Sequence, residues 1–383
     1  MDIYMDHQAT TPVDPRVVER MLPFFSEHFG NPASRSHVFG WKAEAAVEAA
    51  REQVAALMGG TAREVVFTSG ATESDNLALF GVAEAYARVG DHIITQATEH
   101  KAVLDPCKVL ETKGKKVTIL PVTEHGRVDP DHVREAMTEG TILVSIMLAN
   151  NEIGTIQPIE EIGKICRARG VLLHCDAAQG LGGIPFDVDQ MRVDLASVSS
   201  HKMYGPKGIG ALFIRRKSPR ARVAPIIYGG GHERGLRSGT LNVPAIVGFG
   251  EAARILSREG QSEASQIRAL RDHLLQEIVG QLDGVHVNGH PDLRLPGCLS
   301  LSFESIEGEA LMMSIKDVAI SSGSACTSAT LEASHVLKAC GRGEDLARGT
   351  VRFGLGRPNT PEQVEQVAHK VVEGVRKLRA MRG

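Results

Sequence analysis

The residue type most suggestive of chemistry is a lysine, Lys202, in a turn rich in glycine and proline at 199–210. Apolar runs at 193–198 and 209–214 flank this turn and are typical of buried strands. Lysines are rarely buried without a partner. One use for a lysine that leaves a core strand is a covalent bond from its amine to an aldehyde cofactor. A lone lysine is more often a solvated loop residue. Whether Lys202 binds a cofactor therefore depends on what the rest of the chain provides.

Four more polar residues follow predicted strands in the same way. Thr72 begins a helix, and the N–H groups of a helix N-terminus suit a phosphate. Asp176 ends an apolar run, where a carboxylate could pair with a pyridinium nitrogen. His100 could act as a general acid or base, and Asn151 could reach the same crevice. Each alone could be a helix cap or a structural residue. Together with Lys202, at one sheet edge, they predict a ligand site.

A cysteine and an arginine lie in the last third of the chain. Cys326 is in the small, polar loop at about 321–329, where packing offers no reason for a thiol and reactivity does. Arg352 interrupts an apolar strand pattern and could clamp a carboxylate, or it could simply face outward. These residues indicate a reactive thiol at Cys326 and a candidate anion site at Arg352.

The elements that must position these residues alternate between strand and helix from about residue 64 to residue 214. Such alternation predicts an α/β fold with a mostly parallel sheet covered by helices on both faces. From about residue 250 the pattern changes to a smaller α+β region that ends in an amphipathic helix at 361–378. The ligand site is expected beyond the carboxyl ends of the strands.

Composition excludes several classes of function. The 383 residues carry a net charge of -3, so neither nucleic acid nor an anionic membrane is an expected partner. No apolar run is long enough to span a bilayer, and the acidic start of the chain does not resemble a signal peptide, which predicts a cytoplasmic protein. The six cysteines form no Cys-x-x-Cys pair and no His-Glu-x-x-His occurs, so no intrinsic metal site is expected.

Longer motifs join these residues into a pattern that resembles the cysteine desulfurases of the NifS/IscS type, a branch of the fold-type I pyridoxal-phosphate enzymes and of the class V aminotransferase family. The resemblance runs from Asp6-x-x-Ala-Thr-Thr-Pro to Arg352-Phe-x-Leu-Gly. Its diagnostic segments are Thr98-Glu-His, Asn150-Asn-Glu-Ile-Gly, His201-Lys-x-Tyr-Gly-Pro-Lys-Gly, Gly229-Gly-Gly-His-Glu-Arg-Gly and Ser322-Gly-Ser-Ala-Cys-Thr-Ser. It implies a seven-stranded, mostly parallel sheet in a large domain at 13–250. It also implies a small α+β domain built from 1–12 and 251–383.

The resemblance also implies roles for individual residues. Lys202 would hold pyridoxal 5'-phosphate covalently, Asp176 would pair with the ring nitrogen, and His100 would stack on the ring and take part in catalysis. The cofactor-binding residues would be Ala71, Thr72, His100, Asn151, Asp176, Gln179, Ser199, Ser200, His201 and Lys202, with Thr240 reaching the phosphate in the partner subunit. Asn151 and Arg352 would bind the substrate, L-cysteine. Cys326 would take its sulfur as a persulfide and leave L-alanine.

The implied partners are a second copy of the chain and a sulfur acceptor such as an iron–sulfur scaffold, on which Cys326 could share a cluster. The chain ends soon after its last helix, without the docking tail of longer members, which puts the scaffold in question. A selenocysteine lyase or a pyridoxal-phosphate-dependent transaminase is the alternative within the same fold. An NAD-dependent oxidoreductase is disfavoured because no Gly-x-Gly-x-x-Gly opens a helix after a strand. A non-enzymatic subunit is disfavoured because Lys202, Asp176 and Cys326 are all present.

Overall fold

A seven-stranded sheet forms the centre of the larger part of the protein, which we describe from a computed structural model covering residues 2–322 and 334–381. Its strands, in spatial order, are β2 (Val65–Thr68), β8 (Gly210–Ile214), β7 (Leu195–Ser199), β6 (Leu172–Asp176), β5 (Thr141–Ser145), β3 (His92–Gln96) and β4 (Lys116–Leu120). The strands from β7 to β4 pair in parallel, whereas β8 is antiparallel to both β7 and β2. The predicted mostly parallel α/β sheet is therefore confirmed.

Helices cover both faces of this sheet. They are α3 (Val38–Leu57), α4 (Ala71–Ala85), α5 (Lys101–Thr112), α6 (Pro130–Ala136), α7 (Ile159–Arg169) and the long α8 (Val243–Val279). Because side chains alternate along a strand, Leu173 packs in a core with residues of α3, α7 and α8, whereas Leu172 packs with residues of α4 and α5. With both faces covered, every residue of β5, β6 and β7 is buried.

A second hydrophobic core lies around a smaller antiparallel sheet. This sheet has the order β12 (Thr350–Gly354), β10 (Cys298–Phe303) and β9 (Val285–Val287), and α9 (Gly308–Ser314), α10 (His335–Ala339), α11 (Glu344–Arg348) and α12 (Pro361–Ala380) accompany it. Near the chain start, β1 (Ile3–Tyr4) pairs in parallel with β11 (Val318–Ala319), so that Met5 is buried in this second core. The helix α8 supplies side chains to both cores, Phe249 to the first and Leu274 to the second.

The structure differs from the sequence-based expectation near the N-terminus. A single helix is predicted from residue 14 to about residue 29, but α1 (Pro15–Met21) is followed by a separate short helix, α2 (Pro23–Ser26). Leu22 caps both helices, and Pro23 has no N–H to continue the hydrogen-bond ladder of α1. Across residues 2–322 and 334–381, no helix is long and apolar enough to cross a membrane.

Candidate active site

A cavity of about 650 Å³ opens at the carboxyl ends of the parallel strands, where the sequence predicts a ligand site. We call it the strand-end cavity. Ten of the predicted site residues line it: Ala71, Thr72, His100, Asn151, Asp176, Gln179, Ser199, His201, Lys202 and Arg352. They come from separate segments of the chain: most follow strands that end at a common edge of the large sheet, and Arg352 comes from β12 of the smaller sheet.

The N-terminus of α4 forms one wall of the cavity. Gly70 precedes the helix and provides no side-chain cap, and a Cβ at that position would meet no atom within 4 Å. The first N–H groups of α4, at Ala71 and Thr72, are therefore placed for an anion, which the helix dipole also favours. Glu73 accepts a hydrogen bond from the Ser69 N–H at 2.8 Å and so fixes the turn that leads into the helix.

Lys202 ends a short 3-10 turn at Ser200–Lys202 that directly follows β7. Its Nζ donates hydrogen bonds to the carbonyl oxygens of Gln8 and Ala9, the second at 2.8 Å. The Thr11 N–H and hydroxyl donate to the His201 carbonyl at 3.0 and 2.9 Å. The N-terminal segment 8–11 thus lies against the lysine turn and holds its amine at the cavity.

Asp176 is the last residue of β6 and is only 5% exposed. Burial raises the pKa of its carboxyl, whereas the Ala178 N–H, at 2.9 Å from Oδ1, and the neighbouring His100 and Lys202 side chains lower it. A buried carboxylate of this kind gains from a cationic ligand group in the cavity. Nearby, the Gln179 side-chain amide donates to the Gln8 carbonyl at 2.9 Å.

His100 lies at the start of α5 and caps that helix. Its Nδ1 accepts a hydrogen bond from the Ala102 N–H at 3.1 Å. A ring nitrogen that accepts this bond carries no proton, so the neutral imidazole of His100 has its proton on Nε2. This tautomer gives the cavity a histidine donor whose ring is fixed by the backbone of α5.

Arg352 projects from β12 and is almost completely buried, with 3% of its side chain exposed. Its guanidinium pairs with the Asp6 carboxylate at 2.7 Å and donates to the Asn151 carbonyl at 2.8 Å. Its Nε has no hydrogen-bond partner among the described residues. The predicted anion clamp thus lines the cavity, and Asp6 balances its charge.

The chain returns to the cavity at Ser334, the first described residue after 322. The Ser334 hydroxyl donates to the Glu152 carboxylate and accepts the Val336 N–H at 3.1 Å, which caps α10. Burial raises the pKa of Glu152 to about 7, although Ser334 and Arg352 oppose that shift. On the other side of the gap, Ser321 pairs with the backbone of Arg352. Residues 321 and 334 are therefore both held beside the cavity.

Comparison with known proteins gives the family of the chain. The family model described as "Aminotransferase class-V" matches residues 3–367. The chain belongs to the aminotransferase class-V family.

Individual relatives agree with this assignment. The chain is 61% identical over 379 residues to "Cysteine desulfurase IscS" of Anaeromyxobacter sp. (strain Fw109-5), covering 99% of this chain and 94% of the relative. It is 53% identical over 381 residues to the protein of the same name from Rickettsia peacockii (strain Rustic), covering 100% of this chain and 93% of the relative. Among solved structures, a "NifS-like protein" has a TM-score of 0.91 at 41% identity over 97% of this chain and 99% of that one. The structure "SspA in complex with cysteine" has a TM-score of 0.83 at 39% identity, over 92% of this chain and 99% of that one. The predicted resemblance to cysteine desulfurases is confirmed.

Two of the expected site residues that the structure describes, Ser200 and Thr240, do not line the strand-end cavity. Ser200 is buried beneath the lysine turn, where a Cβ on Gly205 would stand 2.1 Å from its Oγ. Thr240 lines a second cavity, of about 260 Å³, together with Phe29. Cys326 lies outside the described residues. Among the residues that are described, no group of three or more His, Cys, Asp or Glu side chains could hold a metal ion.

Sequence reasoning also missed residues that this aminotransferase class-V site contains. Gln8 and Ala9 bind Lys202 through backbone carbonyls, which leave no trace in side-chain chemistry. The Asp6-x-x-Ala-Thr-Thr-Pro motif is the available signal, because it begins two residues before them. Asp75 and Glu152 line the cavity as well. Both are acidic residues near segments already singled out, but only the structure reveals their burial.

Proposed function

We propose that the protein is a cysteine desulfurase that uses pyridoxal 5'-phosphate to remove sulfur from L-cysteine and leaves L-alanine. One observation carries the proposal. A lysine amine, a buried aspartate and an uncapped helix N-terminus face the same cavity, at Lys202, Asp176 and Ala71. These are the groups that an aldehyde, a pyridine nitrogen and a phosphate require. The names of the full-length relatives support the same activity.

The residues of the site fit this cofactor. The open space at Gly70 and the N–H groups of α4 match a phosphate, and burial without a strong ion-pair partner leaves Asp176 in need of a cation. The phosphate would be bound by Ala71, Thr72, Ser199 and His201, with Thr240 from the second subunit. Bound there, pyridoxal phosphate supplies an electron sink that makes the Cα–H of an amino acid acidic.

The chain's own residues then orient the reacting groups. The Lys202 amine, which the Gln8 and Ala9 carbonyls hold at the cavity, would bind the aldehyde of the cofactor and would carry a proton to or from the substrate Cα. Asp176 would keep the ring nitrogen protonated, Gln179 would hydrogen-bond the phenolic oxygen of the ring, and His100 would stack on the ring. Because His100 carries its proton on Nε2, it is a donor into the cavity.

The substrate carboxylate would be bound at Arg352 and Asn151. The Arg352 Nε–H has no partner among the described residues, and the Asn151 side chain lies at the cavity wall. An arginine fork selects a planar carboxylate over other anions. Binding there would direct the cysteine side chain toward the part of the cavity where residues 321 and 334 are held.

Cys326 would be the sulfur acceptor. Its thiolate attacks the substrate sulfur, an S–S bond forms, and the Cβ–S bond breaks with its electron pair moving to Cβ, which is protonated to give alanine. The sum is one cysteine plus the Cys326 thiol giving one alanine plus the Cys326 persulfide, which needs no external oxidant. The persulfide would then pass to an acceptor such as an iron–sulfur scaffold, on which Cys326 could also share a cluster.

A homodimer would complete the site. Exposed apolar side chains cluster near the N-terminal helices, with Phe25 at 63%, Phe29 at 64% and Trp41 at 54% exposure. Monomers rarely expose so many large apolar groups together. Thr240 shares its cavity with Phe29 and not with Lys202, so it would act on the cofactor of the second subunit. The test is to mix Lys202→Ala and Thr240→Ala proteins. One intact site per mixed dimer should restore up to about a quarter of the wild-type activity, whereas no recovery would contradict a shared site.

The activity itself is tested with cofactor-loaded protein and L-cysteine, measuring alanine and, with a reductant, sulfide. The Cys326→Ser protein should lose both products while keeping the cofactor absorption that depends on Lys202. Cys107→Ser is the matched control. Cys107 is buried in α5 with its pKa raised to about 12, so its loss should leave turnover unchanged. If Cys326→Ser still released sulfur, the protein would act as a lyase, and if a keto acid formed in place of alanine, it would act as a transaminase.

A further inference from the structure

A second aspartate is fully buried at the wall of the strand-end cavity. Asp75 lies in the first turns of α4 and is 0% exposed. Neither of its carboxylate oxygens has a hydrogen-bond partner among the described residues. An ionised carboxylate in that state would bear the full cost of lost hydration. The residue has no place in the mechanism above and no structural function that would require a charge.

Strand register explains what Asp75 faces. In β5, β6 and β7, Ser145 pairs with His174, and Asp176 pairs with Ser197. These four side chains share the sheet face that α4 covers, because they alternate with core residues of the opposite face. They form a polar row near the strand ends, and Asp75 of α4 lies over it. Its Oδ1 is 3.5 Å from His174 Nε2.

His174 does not supply a positive charge to Asp75. Its Nδ1 is 2.8 Å from the Ser145 hydroxyl, and its Nε2 is 3.0 Å from the Ser197 hydroxyl. Two hydroxyl partners satisfy a neutral imidazole. Complete burial also lowers the pKa of His174 to about 3. The ring is therefore neutral at physiological pH.

The other titratable groups around Asp75 are acids. From β6 come Asp176 and the buried Cys175 thiol, and from the segment before α5 comes Glu99. The three carboxyls differ in what surrounds them. Asp176 has His100 and Lys202 beside it and accepts the Ala178 N–H. Glu99 accepts the Met147 N–H on one oxygen at 2.7 Å. Asp75 accepts no backbone N–H and has no cation beside it; burial, followed by the charge of Asp176, raises its pKa well above the usual value, although the Ser197 hydroxyl opposes that rise.

We propose that Asp75 is protonated in the folded enzyme and serves as a neutral positioning residue behind Asp176, so that Asp176 holds the negative charge presented to the cofactor ring. The inference rests on the proposed function only for the identity of that ring. An ionised Asp75 would repel the charge on Asp176 and favour its protonation. Asp176 could then no longer hold a proton on a pyridine nitrogen.

Infrared spectroscopy of the cofactor-loaded protein tests the proposal. A difference spectrum between wild type and Asp75→Asn at pH 7.5 should contain the C=O stretch of one protonated carboxylic acid in the wild type. Asp14→Asn is the matched control. Asp14 is also buried, but Arg16 binds it and lowers its pKa. The difference spectrum between wild type and Asp14→Asn should therefore show the loss of carboxylate bands only. Loss of carboxylate bands in Asp75→Asn, with no acid band, would overturn the proposal.

Cofactor affinity gives a functional readout. Asparagine copies the shape and zero charge of a protonated aspartate, so Asp75→Asn should bind pyridoxal phosphate within about threefold of wild type. A change of more than about tenfold would mean that a charge had been removed, which contradicts the proposal. The spectra can also be recorded without cofactor. Failure of the protein to bind pyridoxal phosphate would refute the proposed function, yet the acid band would still decide the state of Asp75.

The pH dependence of unfolding provides a measurement that needs no ligand. A pKa raised by folding means that stability is fully present below the unfolded pKa and is lost as the pH rises through the folded pKa. Wild type should therefore lose stability relative to Asp75→Asn as the pH rises from 5 to 9. A difference in melting temperature that is constant over this range, or of opposite slope, would contradict a protonated Asp75.

Discussion

Asp6 gives the sharpest test of how the anion site is built. Its carboxylate is 2.7 Å from Arg352, whose side chain is 3% exposed, whereas that of Asp6 is 18% exposed. The change Asp6→Asn keeps the size of the side chain and removes its charge. A nearly buried guanidinium would then be left with the Asn151 carbonyl and the neighbouring Glu152.

The size of the effect follows from the burial of the pair. Removing one partner of a fully buried ion pair costs about 3–5 kcal/mol. Because water reaches part of Asp6 and Glu152 can ionise in response, we expect a loss of about 2–3 kcal/mol in the free energy of unfolding. For the same reason, Asp6→Asn should lower the pKa of Glu152. Adding Glu152→Gln should cost more in the Asp6→Asn background than in wild type.

The assay is urea-induced unfolding of the cofactor-loaded protein at fixed cofactor concentration. Asp91→Asn is the matched control, because Asp91 forms an exposed ion pair with Lys116 at 3.2 Å, with side chains 42% and 74% exposed. Its loss of stability should be several-fold smaller. If Asp6→Asn cost no more than Asp91→Asn, or if its effect simply added to that of Glu152→Gln, the pairing deduced around Arg352 would be wrong.

Three further predictions concern the same cavity. Arg352→Lys keeps the charge but loses the planar fork, so the KM for L-cysteine should rise about 10- to 100-fold with a smaller change in kcat; steady-state kinetics showing an unchanged KM would remove Arg352 from substrate binding. Lys202→Ala should bind the cofactor without a covalent link and lose at least about a thousandfold in kcat, and trapping by borohydride with peptide mapping would reveal any other attachment site. The pKa of Glu152 is raised from 4.5 to about 7, so wild type should lose up to about 3 kcal/mol relative to Glu152→Gln as the pH rises from 4.5 to 8; equal pH profiles of unfolding would contradict that pKa.

Local sequence patterns predict much of the fold because they report burial. The run at 193–198 appears as β7, and the run at 171–175 appears as β6. Both strands are apolar throughout because helices cover both faces of the sheet. An apolar run does not reveal which way a strand runs in the sheet. The antiparallel strand β8 therefore could not be distinguished from the parallel strands. The break at Pro23 has a clear local cause that a longer helical pattern concealed.

The candidate site was predictable where side-chain chemistry identifies a residue and unpredictable where the backbone or burial decides. Lys202 and Asp176 follow strands and have recognisable chemistry. The contact of Lys202 with Gln8 uses a backbone carbonyl 194 positions away, for which the sequence contains no side-chain signal. Asp75 looks in the sequence like an acid that stabilises a helix N-terminus. Only the pairing of the strands beneath α4 shows that it is enclosed.

The central claim is that sulfur from L-cysteine becomes bound to Cys326. Mass spectrometry of cofactor-loaded protein, incubated with L-cysteine without reductant and alkylated before digestion, tests it most directly. The account predicts an added sulfur on the peptide that contains Cys326, one alanine for each sulfur, and no adduct on the peptide that contains Cys107. Loaded protein that forms alanine without a sulfur on Cys326, or with the sulfur on another cysteine, would contradict the account.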